Sequence, residues 1–558
     1  MSDALTAIST RKTPQTEQAD ARQVPNAAGG YGFALGDEAR IHRFLTLGTD
    51  GGTYYTSERE LTKANAAVVL RVAAERPEWL VEQIVTISTA GRAPRQNPAI
   101  FALAATAGLA DEDGRKAALG ALPLVCRTGS HLFLFARYVE QFRGWGRGLC
   151  RAVGGWYLDR DIDDVAYQVV KYRQREGMSH RDVLRLAHPG KLASPATMEP
   201  AHRALFNWIT TGGVTTSRAP GGDERPVGVS PAHLPDLVWA FERVQTATSV
   251  AEWVTLIEQY PLSWEMLPDV ALTEPKVWRA LIAAGMPQTA LMRQLPRLTR
   301  LGVLTGSTRI AVATQLADPV RLRKARVHPV NVLVALRTYA SGRSVRGESE
   351  WTPIRQIVDA LDSAFYGAFA TVEPAGKRTL IALDVSGSMT QAVSGLPISC
   401  REASAALALV TMATEPEVDV VGFTSSNGRM YGIGSVVALT ELLISPRQRL
   451  DDAVRAVSNL PFGGTDCSLP MLCAEKNRRE YDTFIIVTDN ETWAGNIHPH
   501  QALLQYRERI VSDARLIVVG MTATDVSVAD SEDPGSLDVA GFDSAVPNLI
   551  ADFSRRTI

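Results

Sequence analysis

The chain is 558 residues long, with 45% hydrophobic residues, 21% charged residues and a formal net charge of −2. This length is enough for two or more domains with substantial cores. The near-neutral charge excludes a uniformly basic protein, although not a basic face balanced by acid elsewhere. The five cysteines are scattered and none forms a CxxC pair, which argues against a disulfide framework or a zinc knuckle.

The N-terminal residues are polar, small and rich in turn formers. They predict a disordered tail over residues 1–28. This stretch has no apolar run of the kind that a signal peptide requires, and no segment of about 18 apolar residues occurs elsewhere in the sequence. We therefore expect a cytoplasmic protein that does not bind a membrane.

Residues 29–372 have the pattern of a helical domain. Apolar residues recur at spacings of three and four, and Gly, Pro or Asp interrupts them at intervals close to the usual helix length. The pattern predicts successive helical hairpins, as in an α-solenoid, although no strict repeat consensus is present. A segment rich in Gly and Pro, residues 210–231, predicts a flexible loop between two helices.

Two windows of this helical part are strongly basic. Residues 171–191 contain six Lys or Arg against two acidic residues, a net charge of +4, and residues 293–326 contain eight against one, a net charge of +7. This asymmetry indicates a polyanionic partner, and the predominance of arginine favours phosphate binding and base stacking. The alternative is that both windows are ordinary solvated helix faces. Aromatic residues that could stack on unpaired bases flank the first window: Trp145, Trp156, Tyr157, Tyr167 and Tyr172.

Within the second window, three arginines share one helix face. Arg293, Arg297 and Arg300 follow one another at spacings of four and three residues, which places them on the same side of a helix. The opposite side would carry leucines that pack into the core, namely Leu291, Leu295 and Leu298.

The pattern changes after residue 372. Short apolar runs rich in Val and Ile, such as RTLIALD and TFIIV, alternate with helical segments. This alternation predicts a doubly wound α/β domain over residues 373–558, with a parallel sheet covered by helices on both faces.

Polar residues follow the strands of this predicted sheet, where ligands bind in doubly wound folds. Asp384, Ser386 and Ser388 follow the first strand, Thr465 lies in a later loop, and Asp489 follows TFIIV. Their hard oxygen ligands suit a divalent cation; Mg²⁺ fits a site with few carboxylates best, with Ca²⁺ or Mn²⁺ as alternatives. The competing interpretation is that Asp and Ser merely cap the next helix.

These five residues resemble the metal-ion-dependent adhesion site of a von Willebrand factor A domain, in which DxSxS is followed by a Thr and then by an Asp. The resemblance implies direct coordination by Ser386, Ser388 and Thr465. It implies that Asp384 and Asp489 act mainly through water.

The helical part resembles the TROVE module, through segments such as GWGRGLCRAVGGWY (144–157), VVKYRQREGMSHRDVLRLAHP (169–189) and KARVHPVNVLVALRTY (324–339). Residues 30–558 as a whole are similar to the Ro autoantigen family, in its bacterial form. The resemblance implies HEAT-like helical pairs that close into a ring, with the A domain holding its two ends.

The resemblance also implies a non-enzymatic ribonucleoprotein of RNA quality control. The family binds noncoding Y RNA on an outer basic surface and the single-stranded 3′ ends of misfolded RNA in the ring cavity, and in bacteria it can work with a 3′-to-5′ exoribonuclease. DNA is not an expected partner. The candidate RNA-binding residues of the first window are Lys171, Arg173, Arg175, His180, Arg181 and Arg185. Those of the second window, chosen by charge, are Arg293, Arg297, Arg300, Arg321, Arg323 and Lys324.

Two other functions stay open. The metal site could bind an acidic residue of an intracellular protein, which would make the chain a scaffold module. A hydrolase could use His498 and His500 of NIHPHQ, although no nucleophile or phosphate-binding loop accompanies them. The start of a helix explains these two histidines equally well.

Overall fold

The structure is a computed structural model, and the chain forms two compact units in it. The A-domain unit is built from Met1–Val68, Ala317–Glu348 and Val358–Ile558, and the helical unit from Val69–Leu316 and Ser349–Ile357. The structure describes residues 12–47, 58–92, 95–189, 198–211, 216–218, 224–226, 233–344, 347–393, 396–425, 439–460, 463–521, 526–542 and 545–557.

Helices dominate the first two-thirds of the chain, as predicted. In chain order they are α1 (Asp37–Leu47), α2 (Glu58–Glu75), α3 (Pro77–Thr89), α4 (Asn97–Leu109), α5 (Glu112–Val125), α6 (Gly129–Phe142), α7 (Arg147–Leu158), α8 (Ile162–Lys171), α9 (His180–Ala187), α10 (Pro200–Thr211), α11 (Asp236–Thr246), α12 (Val250–Gln259), α13 (Pro275–Ala283), α14 (Gln288–Arg300), α15 (Gly306–Ala317), α16 (Pro319–Lys324), α17 (Pro329–Ala340) and α18 (Arg355–Gly367). Side chains of Asp111, Thr128 and Asp161 cap α5, α6 and α8, because the first N–H groups of a helix lack partners within it.

Within the helical unit, several helices pack on the helix two places along the chain as well as on the next one. α3 packs on α5, α4 on α6, and α5 on α7. This is the pattern of stacked helical hairpins, and it confirms the predicted repeat architecture. Among the described residues, no helix combines the length and the apolar character that spanning a membrane requires.

Short strands interrupt the helices. They are β1 (Gln23–Pro25), β2 (Tyr31–Ala34), β3 (Gln174–Arg175), β4 (Met178–Ser179), β5 (Thr216–Arg218) and β6 (Glu224–Pro226). β5 and β6 pair as antiparallel neighbours within the predicted loop 210–231, which corrects that prediction for these two segments. Apart from them and the end of α10, the predicted loop lies outside the described residues.

The C-terminal part is the predicted α/β domain. Its elements are β7 (Arg378–Asp384), α19 (Cys400–Thr414), β8 (Glu417–Phe423), β9 (Leu439–Glu441), α20 (Leu450–Ser458), α21 (Leu469–Lys476), β10 (Thr483–Thr488), α22 (Pro499–Arg509), β11 (Arg515–Gly520), β12 (Val526–Ser527), β13 (Ser536–Ala540) and α23 (Val546–Arg555). One sheet has the order β13-β11-β10-β7-β8-β9, and its pairings are parallel except that of β9. β7 and β10 are buried on both faces, which explains their continuous apolar runs.

The N-terminal segment corrects the prediction of a disordered tail. Residues 12–28 of that tail are described, and they pack in the A-domain unit. β1 pairs with β2, which pairs in turn with β12, and Arg22 forms an ion pair with Asp530 at 2.8 Å. Arg22 and Asp530 stand 508 positions apart in the chain, so the local composition gave no sign of this order.

The boundary predicted near residue 372 does not separate the compact units. Helices that precede it pack in the same unit as the α/β domain. Arg337 of α17 forms ion pairs with Glu402 and Asp451, and the hydroxyl of Tyr366 in α18 accepts a hydrogen bond from the backbone N–H of Leu450 at 2.8 Å. The A-domain unit therefore includes segments from both ends of the predicted helical domain.

Candidate metal centre and nucleic-acid interface

The candidate metal centre lies at the carboxyl end of β7. This strand is central in the sheet, between β8 and β10. Loops leave β7 and β10 toward different neighbours, so a crevice forms at this point of a doubly wound sheet. The loop after β7 carries Ser386 and Ser388, and the loop after β10 begins with Asp489.

Asp384, the last residue of β7, is completely buried. One of its carboxylate oxygens accepts a hydrogen bond from the backbone N–H of Ser386 at 2.8 Å, and the other accepts one from the hydroxyl of Thr488 at 2.8 Å. Burial, together with the nearby charge of Asp489, raises the pKa of Asp384 to about 7.

The two predicted serines and Asp489 converge on the same crevice. The hydroxyl oxygens of Ser386 and Ser388 lie 3.0 Å apart. Burial raises the pKa of Asp489, and a hydrogen bond with the Ser388 side chain partly offsets that rise. The structure therefore brings together Asp384, Ser386, Ser388 and Asp489, four of the five predicted metal-site residues.

Thr465, the fifth, lies in the loop before α21 and is buried. Its backbone carbonyl accepts hydrogen bonds from the N–H groups of Trp493 (3.1 Å) and Ala494 (3.0 Å). Both of these residues follow Asp489 in the next loop. The loop that carries Thr465 is therefore joined directly to the loop that carries Asp489.

This set of donors fits a hard divalent cation. Two carboxylates buried near each other are unfavourable as a pair of charges unless one is protonated or a cation offsets them, and the two serine hydroxyls supply further oxygens. The helix-capping alternative explains less. Ser386 is the N-cap of a 3-10 helix, Gly387–Thr390, but its side chain makes no capping hydrogen bond.

The first basic window forms a hairpin that leads into α9. Glu176 and Gly177 at its turn have positive φ angles of 54° and 76°, as a two-residue turn of type I′ requires. Ser179 and Asp182 then form a capping box at the start of α9, which satisfies two N–H groups reciprocally. Four predicted residues of this window are exposed to solvent: Arg173, Arg175, Arg181 and Arg185.

Arg173 is exposed to solvent, and its guanidinium group also packs against two aromatic rings. Its guanidinium carbon lies 5.0 Å from the ring centroid of Phe241 and 5.6 Å from that of Trp208. The faces of aromatic rings attract a cation by about 0.5–1 kcal/mol at an exposed site. Arg173 therefore presents an ordered positive charge at the surface.

Two predicted RNA-binding residues are less available. His180 is 1% exposed, and its Nδ1 atom lies 2.7 Å from the hydroxyl of Tyr157, so it faces the core in this structure and its RNA contact stays a prediction; burial lowers its pKa to about 3. Lys171 is half-buried, donates to the Tyr167 hydroxyl at 3.0 Å and lies 4.0 Å from Glu265.

The aromatic residues that flank the first basic window are also partly buried in the core and partly exposed. Trp156 and Tyr157 are buried core residues. Trp145, Tyr167 and Tyr172 are partly exposed, so these three alone keep a surface on which a base could stack.

The arginine face of α14 is formed as predicted. Arg293 and Arg300 are exposed and Arg297 is half-exposed, with its guanidinium 5.4 Å from the ring centroid of Trp278. Arg300 approaches the hydroxyl of Ser349 at 3.4 Å. In the part of the chain that the structure describes, none of the three arginines pairs with a carboxylate. The opposite side of α14 is completely buried through Leu291, Leu295 and Leu298.

The rest of the second window belongs to the A-domain unit. Arg321, Arg323 and Lys324 are exposed on α16, whose first N–H groups are capped by Asp318. The side chain of Arg321 lies 3.6 Å from that of Asp318. A window predicted as one surface is thus divided between two compact units.

The histidines of NIHPHQ have structural roles. His498 is completely buried at the N-cap of α22; its Nε2 lies 2.8 Å from the backbone carbonyl of Glu17 and its Nδ1 lies 3.1 Å from the amide of Gln23. His500 packs edge-on against Phe33 at 5.0 Å. Burial lowers the pKa of both histidines. Their predicted position at the start of a helix is confirmed.

Two buried side chains near the metal centre escaped the sequence analysis. Thr488 donates to Asp384, and Gln15 donates to Asp466 at 2.8 Å. Thr488 was recognisable as a hydroxyl at a strand end beside Asp489. Gln15 carries no local signal, because Asp466 stands 451 positions further along the chain.

Both parts of the chain match known domain families. The TROVE domain matches residues 24–338, and the Ro60 vWA domain, a von Willebrand factor A domain, matches residues 378–554. The RNA-binding protein RO60 of Caenorhabditis elegans is 35% identical over 597 residues, which cover 97% of this chain and 91% of the relative. The RNA-binding protein RO60 of Deinococcus radiodurans is 38% identical over 572 residues, which cover 100% of this chain and 99% of the relative. The crystal structure of the Deinococcus radiodurans Ro protein (RSR) matches with a TM-score of 0.71 at 37% identity, over 94% of this chain and 100% of that chain.

Proposed function

The chain belongs to the Ro60 protein family, and from this premise we propose that it is a non-enzymatic RNA-binding protein that acts in RNA quality control. Two relatives that cover nearly the whole chain are named as RNA-binding proteins. In this proposal the arginine surfaces of the helical unit hold the RNA, and the α/β domain has a separate role. The protein works in the cytoplasm.

The observation that carries this proposal is the arginine face of α14. Buried leucines fix one side of the helix in the core, while Arg293, Arg297 and Arg300 face away from them. Guanidinium groups bind phosphates through paired hydrogen bonds and stack on bases. Because contacts to phosphates carry no sequence information, such a face holds RNAs of many sequences.

The two basic surfaces of the helical unit take different RNAs in this proposal. The hairpin surface, with Arg173, Arg175, Arg181 and Arg185, holds a structured noncoding RNA of the Y type. The α14 face lines the ring cavity that the family resemblance implies and holds the single-stranded 3′ end of a misfolded RNA. A narrow cationic cavity admits a flexible strand more readily than a stable duplex, so a free 3′ tail becomes the recognition signal. A 3′-to-5′ exoribonuclease is the enzyme class that would act on the tail.

The metal centre completes the proposal. Asp384, Ser386, Ser388, Thr465 and Asp489 would hold Mg²⁺, or Ca²⁺ or Mn²⁺ in its place. The cation would supply the positive charge that two buried carboxylates need. The protein's own part is to hold the hydroxyls of Ser386 and Ser388 and the carboxylates in one crevice.

A second candidate function is the binding of an acidic residue of another protein at this centre. Trp493 favours it. This side chain is 41% exposed and lies on the loop after β10, which begins with Asp489. Tryptophans often anchor protein interfaces. Under this alternative, removal of the cation would abolish partner binding and the α14 arginines would have no effect.

Fluorescence anisotropy with two labelled RNAs tests the proposal. One RNA is a hairpin with a single-stranded 3′ tail of ten nucleotides, and the other is the same hairpin with a blunt end. We expect tight binding of the tailed RNA, little effect of EDTA, and a slope of about −4 for log K against log salt if about six phosphates are neutralised. Absence of affinity for either RNA would contradict the proposal.

A further inference from the structure

The N-terminal segment, residues 12–34, crosses the loops that carry Thr465 and Asp489. Gln15 lies at the crossing and is completely buried. Its side-chain amide group donates to the carboxylate of Asp466 at 2.8 Å and to the backbone carbonyl of Ile497 at 2.9 Å. Its side-chain carbonyl accepts a hydrogen bond from the hydroxyl of Thr492 at 2.5 Å. One side chain therefore bonds to both loops.

The backbone of the segment makes contacts of the same kind. The N–H of Gln15 donates to the carbonyl of Gly495 at 2.9 Å, and the Asn26 side chain donates to the carbonyl of Thr492 at 2.8 Å. A Cβ atom on Gly495 would overlap the amide nitrogen of Gln15, and one on Gly30 would overlap the carbonyl oxygen of Thr492. The segment and the loops thus lie so close together that only glycine, which has no Cβ atom, fits at positions 30 and 495.

These bonds reach the metal-site residues within one or two links. Asp466 adjoins Thr465 in the chain. The hydroxyl of Thr492 lies 3.4 Å from the carbonyl of Thr465 and accepts the N–H of Cys467 at 3.2 Å. If Gln15 were absent, buried polar groups of both loops would lose their partners, and such groups are costly to leave unsatisfied.

We infer that Gln15 is a positioning residue for the metal centre, because it holds the Thr465 loop and the Asp489 loop in the register at which their oxygens meet those of the loop after β7. This inference rests on the proposed metal centre. The N-terminal segment is then a structural part of the A domain that orients the loops of the metal centre without contacting the cation itself. Outer partners of this kind orient the groups that contact a metal directly.

Titration calorimetry of the full chain with Mn²⁺ tests this inference. We expect Gln15→Ala to weaken Mn²⁺ binding by about tenfold, the lower end of the loss that follows when groups that orient metal ligands are removed, because Gln15 reaches the ligands through Asp466 and Thr492. Thr16→Ala, at an exposed position of the same segment, should bind as the unaltered chain does. Arg43→Ala removes an ion pair with Asp538 outside these loops; it should lower the melting temperature and leave Mn²⁺ affinity within about twofold.

The possible failures are distinguishable. If the unaltered chain and Asp384→Ala bind Mn²⁺ equally, the metal centre of the proposed function fails, and this inference fails with it. If the unaltered chain binds through Asp384 but Gln15→Ala binds within twofold of it, only the inference is overturned. The same holds if Arg43→Ala weakens binding as much as Gln15→Ala, because general destabilisation would then explain both.

Gln15→Glu provides a second test in case the alanine variant fails to fold. It keeps the size of the side chain but places a carboxylate against Asp466. Hydrogen exchange should become faster at the N–H groups of Cys467, Trp493 and Ala494, which bond across the two loops. Unchanged exchange at these three groups, with unchanged Mn²⁺ affinity, would overturn the inference.

Discussion

The α14 arginine face and the metal centre hold their charges in opposite ways. Arg293 and Arg300 stand in solvent, on a helix whose other side is anchored by buried leucines. Asp384 is completely buried, and both of its oxygens already accept hydrogen bonds. Exposed charges cost little to keep in the folded chain, whereas buried charges of one sign need compensation.

In the proposed function this difference corresponds to two kinds of partner. Exposed arginines are accessible to the phosphates of a nucleic acid, and proteins bind such backbones by neutralising phosphates and releasing their counterions. The two buried carboxylates carry charge of the same sign, which a bound cation would offset. Under the proposed function, RNA binds to the helical unit and a cation to the A-domain unit, so each part of the proposal can be tested separately.

The largest effect should come from reversing the charge of the α14 face. We expect Arg293→Glu, Arg297→Glu and Arg300→Glu together to weaken binding of the tailed RNA by at least about 100-fold, since three charge-assisted contacts at about 1 kcal/mol each are lost. Anisotropy titrations measure this. Lys116→Glu, at an exposed position of α5, is the control and should change affinity little. Equal losses in both variants would show that net charge, and not this face, governs binding.

The next effect concerns the metal centre. A cation present at about 100 times its Kd should stabilise the A-domain unit by about 2.7 kcal/mol. Asp384→Ala should abolish that gain, because it removes a buried carboxylate from the site. Thermal unfolding with and without Mg²⁺ measures the difference. If Mg²⁺ raises the melting temperature of the variant as much as that of the unaltered chain, the cation binds elsewhere.

A third test measures the stability of the helical unit as a function of pH. In this unit the α14 arginines are exposed, whereas His180 is buried and uncharged at neutral pH. Burial lowers the pKa of His180 to about 3, so the unfolded chain binds more protons and stability falls as pH drops below about 6.5. Between pH 8 and pH 5 this one group should cost about 2 kcal/mol.

Urea unfolding followed by tryptophan fluorescence measures this loss, since every tryptophan except Trp493 belongs to the helical unit. His180→Phe should show less dependence on pH than the unaltered chain by about the same 2 kcal/mol. His131, whose pKa burial lowers to about 4, keeps some dependence in both proteins. An identical pH dependence in the two would mean that His180 is accessible to protons in the folded state.

The smallest effect should come from Arg173→Lys. Lysine keeps the charge but loses the planar group that lies over Phe241 and Trp208, so we expect binding of a structured RNA to weaken by about threefold. Arg175→Lys is the matched control, because Arg175 is exposed on the same hairpin and its guanidinium bonds to the carbonyl of Gln174. If both lysine variants bind as the unaltered chain does, only charge matters at this surface.

Features with a local signal were predictable from the sequence. The apolar runs gave β7 and β10, the DxSxS pattern gave Asp384, Ser386 and Ser388, and helical spacing separated the α14 arginines from the leucines behind them. Each of these signals lies within about ten residues, so local propensity and periodicity decide them.

Features that depend on distant partners were not predictable. Gln15 and Arg22 looked disordered, because their partners are 451 and 508 positions away. His180 looked like part of a basic window, but as the first residue of α9 it turns inward toward Tyr157. Counting charges along the sequence does not show which side chains of a basic window are buried in the core.

The central claim is that RNA and cation bind to separate regions of the chain. The most direct test is to measure the affinity for the tailed RNA of two variants side by side: Asp384→Ala, and Arg293→Ala with Arg297→Ala and Arg300→Ala. We predict that the aspartate variant binds RNA within about twofold of the unaltered chain, while the triple variant loses most of its affinity. Loss of RNA binding in Asp384→Ala, with binding retained in the triple variant, would contradict the claim.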